Sequence, residues 1–175
     1  MRDDDAGLPW MAVLEQTPTI LDRMLLAATD EQMKWKPSKE PWSISEVLAH
    51  LADVEEDGFR PRFEMMAAQD MAALPSYNQN VRYAEGWYSN RQPRENLLRF
   101  SQGRDGARSW LNSQAATLGM LRGKHEALGM ISGGEFLNEW AFHDLGHIRQ
   151  VAELYRARPF FPSMGAFQNY DQIHP

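Results

Sequence analysis

The chain has 175 residues, 43% of them hydrophobic and 24% charged, which is the composition of an ordinary globular protein. A net charge of −6 argues against non-specific nucleic-acid binding, and the lack of cysteine excludes disulfides and limits any metal site to nitrogen and oxygen ligands. No apolar run reaches the roughly 18 residues of a membrane span. The polar start Met1-Arg2-Asp3-Asp4-Asp5 is unlike a signal peptide, so a cytoplasmic location without membrane partners is expected.

No repeat, low-complexity tract or linker divides the chain, and one domain over residues 1–175 is expected. The first helix is expected to take Thr17 as its cap and Pro18 in its first turn, then to run through Ile20, Leu21, Met24 and Leu25. Residues Leu8 to Gln16 would extend it beyond Pro18 with a kink. Thr29 and Gln32 are spaced to cap one short turn ending at Lys36, before Pro37.

Ser43 and Glu46 form a capping box, with Trp42 and Val47 spaced as its hydrophobic staple. The second long helix follows through Leu48, Leu51, Val54 and Phe59, then past Pro61 with a bend towards Met66. His50 lies on it, with Val54 and Val47 about 40° and 60° away, at the rim of the apolar face. On its own such a histidine reads as structural. Leu74 to Gln92 is a long connection, a length that suggests a loop covering something.

Pro93 opens a third helix through Leu97, Leu98, Phe100, Trp110, Leu111 and Leu118, weakened by Gly103 and Gly106. Gly119 to Gly134 is a glycine-rich connection carrying His125, which reads either as a further actor at a site or as a loop histidine bonded to backbone. Ser132 and Glu135 form another capping box, stapled by Ile131 and Phe136. Helix four then runs through Leu137, Trp140, Ala141, Leu145, Ile148, Val151 and Leu154 until Arg158-Pro159. The aromatic tail Phe160 to Pro175 is expected to pack back on the bundle.

His143 and His147 stand four residues apart on this last helix, about 40° from each other on its face. Two imidazoles so placed can reach one metal ion, and at the rim of the apolar arc that ion would keep open coordination positions. The pair also reads as two partly buried, hydrogen-bonded histidines. The run His143-Asp144-Leu145-Gly146-His147 lacks the glutamate of the HExxH metalloprotease motif. Asp53, Asp57, Glu139 and Asp144 are available as bases but read as solvated surface charges, so no catalytic residue is assigned.

Four long helices make an all-α four-helix bundle, in which inward side chains of facing helices build metal sites. There His50 can complete a three-nitrogen site with His143 and His147. The stretch Pro41-Trp42-Ser43-Ile44-Ser45-Glu46-Val47-Leu48-Ala49-His50-Leu51, the later Trp140-Ala141-Phe142-His143-Asp144-Leu145-Gly146-His147-Ile148-Arg149-Gln150, and Glu95-Asn96-Leu97-Leu98-Arg99-Phe100 between them resemble the DinB-like (DinB/YfiT) superfamily. The likeness runs from about Thr17 to Tyr170. It implies a four-helix bundle of non-sequential connectivity, commonly a homodimer, here with the faces of helices one and three as candidate interfaces. It also implies a divalent metal, zinc or nickel, held by His50, His143 and His147. The activities it implies are those of metal-dependent thiol-S-transferases using low-molecular-weight thiols, or of hydrolases acting on other small molecules. A non-catalytic metal-binding or stress-response protein, its metal merely tying helices two and four, is the other class.

Overall fold

Helix starts are set by side chains that take up otherwise unpaired backbone N–H groups, and three of the expected capping boxes form. The computed structural model describes residues 10–37 and 42–170; the expectations touching Met1 to Asp5, Leu8, Pro41 and His174 lie outside the described residues. Thr29 and Gln32 open the short α2 (Asp30–Lys34), Ser43 and Glu46 open α3 (Ile44–Asp57), and Ser132 and Glu135 open α7 (Gly133–Tyr155). A fourth box, Gln92 with Glu95, precedes Pro93 at the start of α6 (Pro93–Gln114).

The first helix differs from expectation. α1 (Trp10–Met24) begins well before Thr17, which is buried and donates from Oγ1 to Val13 O at 2.8 Å, so Thr17 is not a cap. Pro18 sits inside the helix, where it has no N–H to give to the carbonyl four residues back. That carbonyl is Leu14 O, and Arg104 Nη1 from α6 donates to it at 2.7 Å instead.

The second helix divides at Gly58 rather than bending at Pro61. A Cβ at Gly58 would stand 2.6 Å from Val54 O, a separation no side chain tolerates. The chain restarts as α4 (Phe59–Ala68), with Pro61 in its first turn, where a missing N–H costs nothing. The 75–92 connection carries the short α5 (Gln79–Ala84).

The expected glycine-rich connection holds two short strands. β2 (Arg122–His125) pairs antiparallel with β3 (Gly129–Ser132) and parallel with β1 (Ala72–Leu74), in the register Ala72↔Gly123 and Leu74↔His125. At Gly123 an added Cβ would lie 2.6 Å from Leu74 Cδ1, so the close approach of β1 to β2 requires glycine. Strands of three and four residues are too short to show a period of two.

The long helices form a four-helix bundle in which α3 packs chiefly on α6 and α1 on α7, with further contacts α1–α6 and α3–α7. Around the bundle the order is thus α1, α6, α3, α7, which is not the order of the chain. Contact between α3 and α7 brings the elements carrying His50 and His143 together.

Two apolar clusters fill the interior. One gathers Leu14, Phe59, Phe63, Leu111, Phe136 and Trp140; the other gathers Leu21, Leu25, Leu48, Phe100, Val151 and Leu154. Between them in sequence stand the buried polar residues Arg104 on α6 and Asp144 on α7, and the buried Glu55 of α3 follows Val54 of the first cluster. Arg104 donates to Glu55 Oε1 (2.7 Å from Nε) and to Asp144 (2.6 Å from Nη1, 3.1 Å from Nη2), while Trp140 Nε1 donates to the same Glu55 oxygen at 3.2 Å. Burial opposes the Arg104 charge, but Asp144 and Glu55 outweigh it and hold the guanidinium firmly protonated.

The tail departs from expectation as well. Helix α7 does not break at Pro159; the chain continues as a π-turn over Arg156–Phe160 and then in 3-10 turns. Phe160 touches Tyr155, their ring centroids 5.4 Å apart, but Phe160, Phe167 and Tyr170 are exposed. The turns carry these rings along the outside of the bundle.

Replacing Arg104 with methionine removes the only positive charge bonded to Glu55 and Asp144 among the described residues. Arg104→Met should destabilise the protein by about 3–5 kcal/mol, the cost of orphaning buried carboxylates. Urea denaturation followed by circular dichroism measures this, and a loss below about 1 kcal/mol would mean that the pair is not a buried, coupled unit.

Candidate metal centre

His50 lies in the second turn of α3, and His143 and His147 lie on successive turns of α7. The structure brings all three together. His50 Nε2 is 3.1 Å from His143 Nε2, which is 3.2 Å from His147 Nε2, and the three ligand atoms fit within a 4.8 Å group. His50 is 1% exposed, not at the rim as its helix position suggested. The 75–92 connection closes over it: Tyr88 and Tyr77 both bring their hydroxyls to 3.4 Å from His50 Nδ1, and Trp42 meets the ring edge-on at 5.3 Å. His143 and His147 are half-buried, with Phe59 across from the His143 ring at 5.3 Å.

Counting protons around these rings shows what the cluster can hold. Tyr77 O–H donates to Asp53 Oδ2, and the Tyr88 hydroxyl lies 3.2 Å from the same oxygen and 2.8 Å from Tyr77 Oη. Both hydroxyl protons are therefore engaged, and each oxygen can only accept from His50. The proton of His50 is placed on Nδ1, which leaves a bare lone pair on Nε2. His147 Nδ1 faces Gln150 Oε1 at 2.9 Å, and the same logic bares its Nε2. His143 Nε2 stands between these two and can donate to one of them at most. At least one of the two close contacts therefore has no proton directed along it and leaves a bare lone pair unanswered, an arrangement relieved by a cation placed among the three nitrogens. Imidazole nitrogens of this kind suit zinc, nickel and similar divalent ions.

The electrostatics agree. Burial holds the His50 pKa down to about 2, with His143, His147 and Arg82 adding to the effect. Burial, then His147 and Arg104, hold His143 down to about 3, and burial lowers His147 as well. All three are neutral, the form that binds metals. Burial and the bond to Asp53 push the Tyr77 hydroxyl well above its ordinary range, and burial raises Tyr88 to about 12, so both remain protonated donors. Arg82 pairs with Asp53 and, at 2.9 Å, with Asp57.

Two of the four carboxylates expected on the surface are buried. Asp144 lies about 100° from His143, in the middle of the apolar arc, where Arg104 receives it. Asp53 is 3% exposed because Tyr77, Tyr88 and Arg82 cover it. Asp57 and Glu139 are exposed, as expected. His125 is not part of the cluster; its Nδ1 accepts from the backbone N–H groups of Ala127 and Leu128 at 3.2 and 3.3 Å, as a loop histidine does. Tyr77, Tyr88, Arg82 and Arg104 escaped the reading of the sequence. Their signal was weak for the first three, which sit in an irregular connection, but Arg104 falls four residues after Phe100 and three before Ala107, on a buried face.

A cavity of about 280 Å³ opens beside the cluster, and His50 and His143 both line it together with Phe59, Arg62, Tyr77 and Asn78. A helical bundle with convergent imidazoles at the edge of an open cavity belongs to the class of bundle proteins that could carry a metal centre. The family model of the DinB superfamily matches residues 13–151, and the chain belongs to that superfamily. Among solved structures it is similar to YfiT from Bacillus subtilis, described as a probable metal-dependent hydrolase with an unusual four-helix bundle topology. The two share 20% identity with a TM-score of 0.76 over 89% of each chain, a likeness of fold. Comparison with curated proteins gave no match. No helix among the described residues is long and apolar enough to cross a membrane.

The buried neutral imidazoles make stability depend on pH. The unfolded chain takes up protons at His50 and His143 near pH 6.5, whereas the folded chain does so only near 2 and 3. Their contribution is therefore complete above pH 6.5 and is lost as pH falls, by about 1.4 kcal/mol per pH unit for each histidine. Chelator-treated protein should unfold at markedly lower urea at pH 5.5 than at 7.5, and His50→Gln should flatten that dependence. Equal midpoints at the two pH values would show that these rings are not buried in neutral form.

Proposed function

We propose that this protein is a metal-dependent enzyme acting on a small molecule, with His50, His143 and His147 holding one divalent ion, zinc or nickel. The observation that carries this reading is the convergence of three Nε2 atoms, two of them bared by their Nδ1 partners, beside an open cavity. Such an ion, when bound by three neutral imidazoles, supplies Lewis acidity that favours the thiolate form of a thiol or the hydroxide form of water. The chain's own contribution is orientation. Asp53 fixes the two tyrosine hydroxyls, these fix the tautomer and tilt of His50, and Gln150 does the same for His147.

Among the described residues the cavity lining contains no aspartate or glutamate. Asp53 is engaged by Arg82 and the tyrosines, and Asp144 by Arg104, and neither lines the cavity. A reaction needing a carboxylate base is poorly served here, whereas attack by a low-molecular-weight thiol needs none. Thiol-S-transfer is thus the reading favoured over hydrolysis. Hydrolysis is the second reading, supported by the description of YfiT. A purely structural ion is disfavoured because two of the three histidines, His50 and His143, line an open cavity.

Protein equilibrated with zinc or nickel and desalted should retain one equivalent per chain. His50→Gln, His143→Gln and His147→Gln should each retain less than about a tenth of that, with helix content unchanged. His125→Gln should match the parent. Full metal in His50→Gln with loss in His125→Gln would relocate the site to the 119–134 connection. Loaded protein should consume thiol in the presence of an activated electrophile; turnover of activated esters without thiol consumption would favour hydrolysis.

A further inference from the structure

Two arginines are buried among the described residues, Arg104 and Arg62, at 2% and 9% exposure. Their surroundings are opposite. Arg104 is bonded to two carboxylates, as a buried cation ordinarily must be. Arg62 has no acidic partner among the described residues. Its Nε and Nη2 donate to Pro75 O at 3.1 and 2.7 Å, and Nη1 has no hydrogen-bond partner there. Burial holds its pKa below the ordinary arginine value, and the neighbour that opposes this is Tyr77, not a carboxylate. Holding one backbone carbonyl needs a donor but not a desolvated positive charge. Arg62 lines the same cavity as His50 and His143, together with Asn78, Gln79 and Asn80.

We propose that Arg62 is the anchor for a carboxylate on the small molecule that occupies this cavity, so that the substrate is a compact carboxylic acid. This rests on the reading of the histidine cluster as the centre of an active site. One guanidinium carries one unit of charge, which matches a carboxylate and leaves a phosphate dianion half-compensated. Its unused N–H groups are arranged to receive such an oxygen pair. The cavity, about 280 Å³, lies at the small end of ligand pockets and admits no large acid. Gln79 and Asn80 bring neutral polar groups to the same lining, while Asn78 Oδ1 already accepts from the backbone N–H groups of Asn80 and Val81. The charge at one part of the cavity and the imidazoles at another would fix which atom of the substrate reaches the centre.

The test compares propionate with propionamide, which share a shape and differ in charge. Both are titrated into the full ¹⁵N-labelled chain while the Arg62 Nε–H resonance is followed, in zinc-loaded and in chelator-treated protein. Propionate should give a saturable shift and bind about tenfold or more tightly than propionamide in both samples. Arg62→Gln should abolish the preference, and Arg62→Lys should restore part of it, without change in zinc content. Equal affinity for the two probes in the parent protein overturns the proposal and needs no variant to fold. A preference that survives in Arg62→Gln also overturns it, since the carboxylate would then be held elsewhere. Inorganic phosphate binding more tightly than propionate overturns the assignment of the anion. Zinc content separates the two ideas: a preference for propionate in a chain that takes up no zinc leaves the anchor standing without the metal centre. One equivalent of zinc with no preference leaves the centre standing without the anchor.

Discussion

The bundle is held in register by a single guanidinium that no water reaches. Arg104, on α6, bonds to Leu14 O on α1, to Glu55 on α3 and to Asp144 on α7, so one side chain touches the other three long helices. Its bond to α1 exists because Pro18 leaves that carbonyl without a helical donor. The three charged residues are a constraint more than a source of stability, since removing them from water offsets much of their attraction. What they do is exclude alternatives. A rotation of any one helix would strand a buried charge, and apolar packing alone imposes no such penalty.

That constraint reaches the histidines through adjacency. Asp144 follows His143 in the chain, so fixing the carboxylate inward at Arg104 sets the imidazole about 100° away, towards α3. Glu55 likewise fixes the rotation of α3, and with it the direction of His50. The rings then meet in a setting that keeps them neutral. Phe59 and Trp42 supply apolar walls, and Trp140 stacks on Phe59 at 4.9 Å, joining this wall to the Arg104 layer through its bond to Glu55.

Much of this was legible in the sequence, because the determining signals are local. Capping boxes at Ser43 and Ser132 marked the two helices that carry the histidine cluster, and the four-residue spacing of His143 and His147 placed both on one face. The polar layer has a local signal too, although Asp144 alone reads as a solvated charge. Asp144 lies in the middle of an apolar arc and Arg104 in line with Phe100 and Ala107, positions where a charge must find a partner. Other features had no local signal. The burial of His50 and Asp53 depends on Tyr77 and Tyr88, which arrive from an irregular connection, and the break at Gly58 follows from one close approach to Val54 O. The small sheet joins segments some fifty residues apart through strands too short to show periodicity.

The parallel pairing of β1 with β2 has a bearing on how such a protein can change over generations. It ties the start of the 75–92 segment to the hairpin before α7, so that this segment leaves the bundle from a fixed point. The histidines ride on regular helices, while much of the cavity wall belongs to the irregular segment. Substitutions or insertions there can redraw what the cavity admits without turning α3 or α7. Tyr77 and Tyr88 set a limit, since they belong to the segment yet hold His50. Most of that stretch is thus free to vary, while the two tyrosines cannot change without releasing the imidazole they aim.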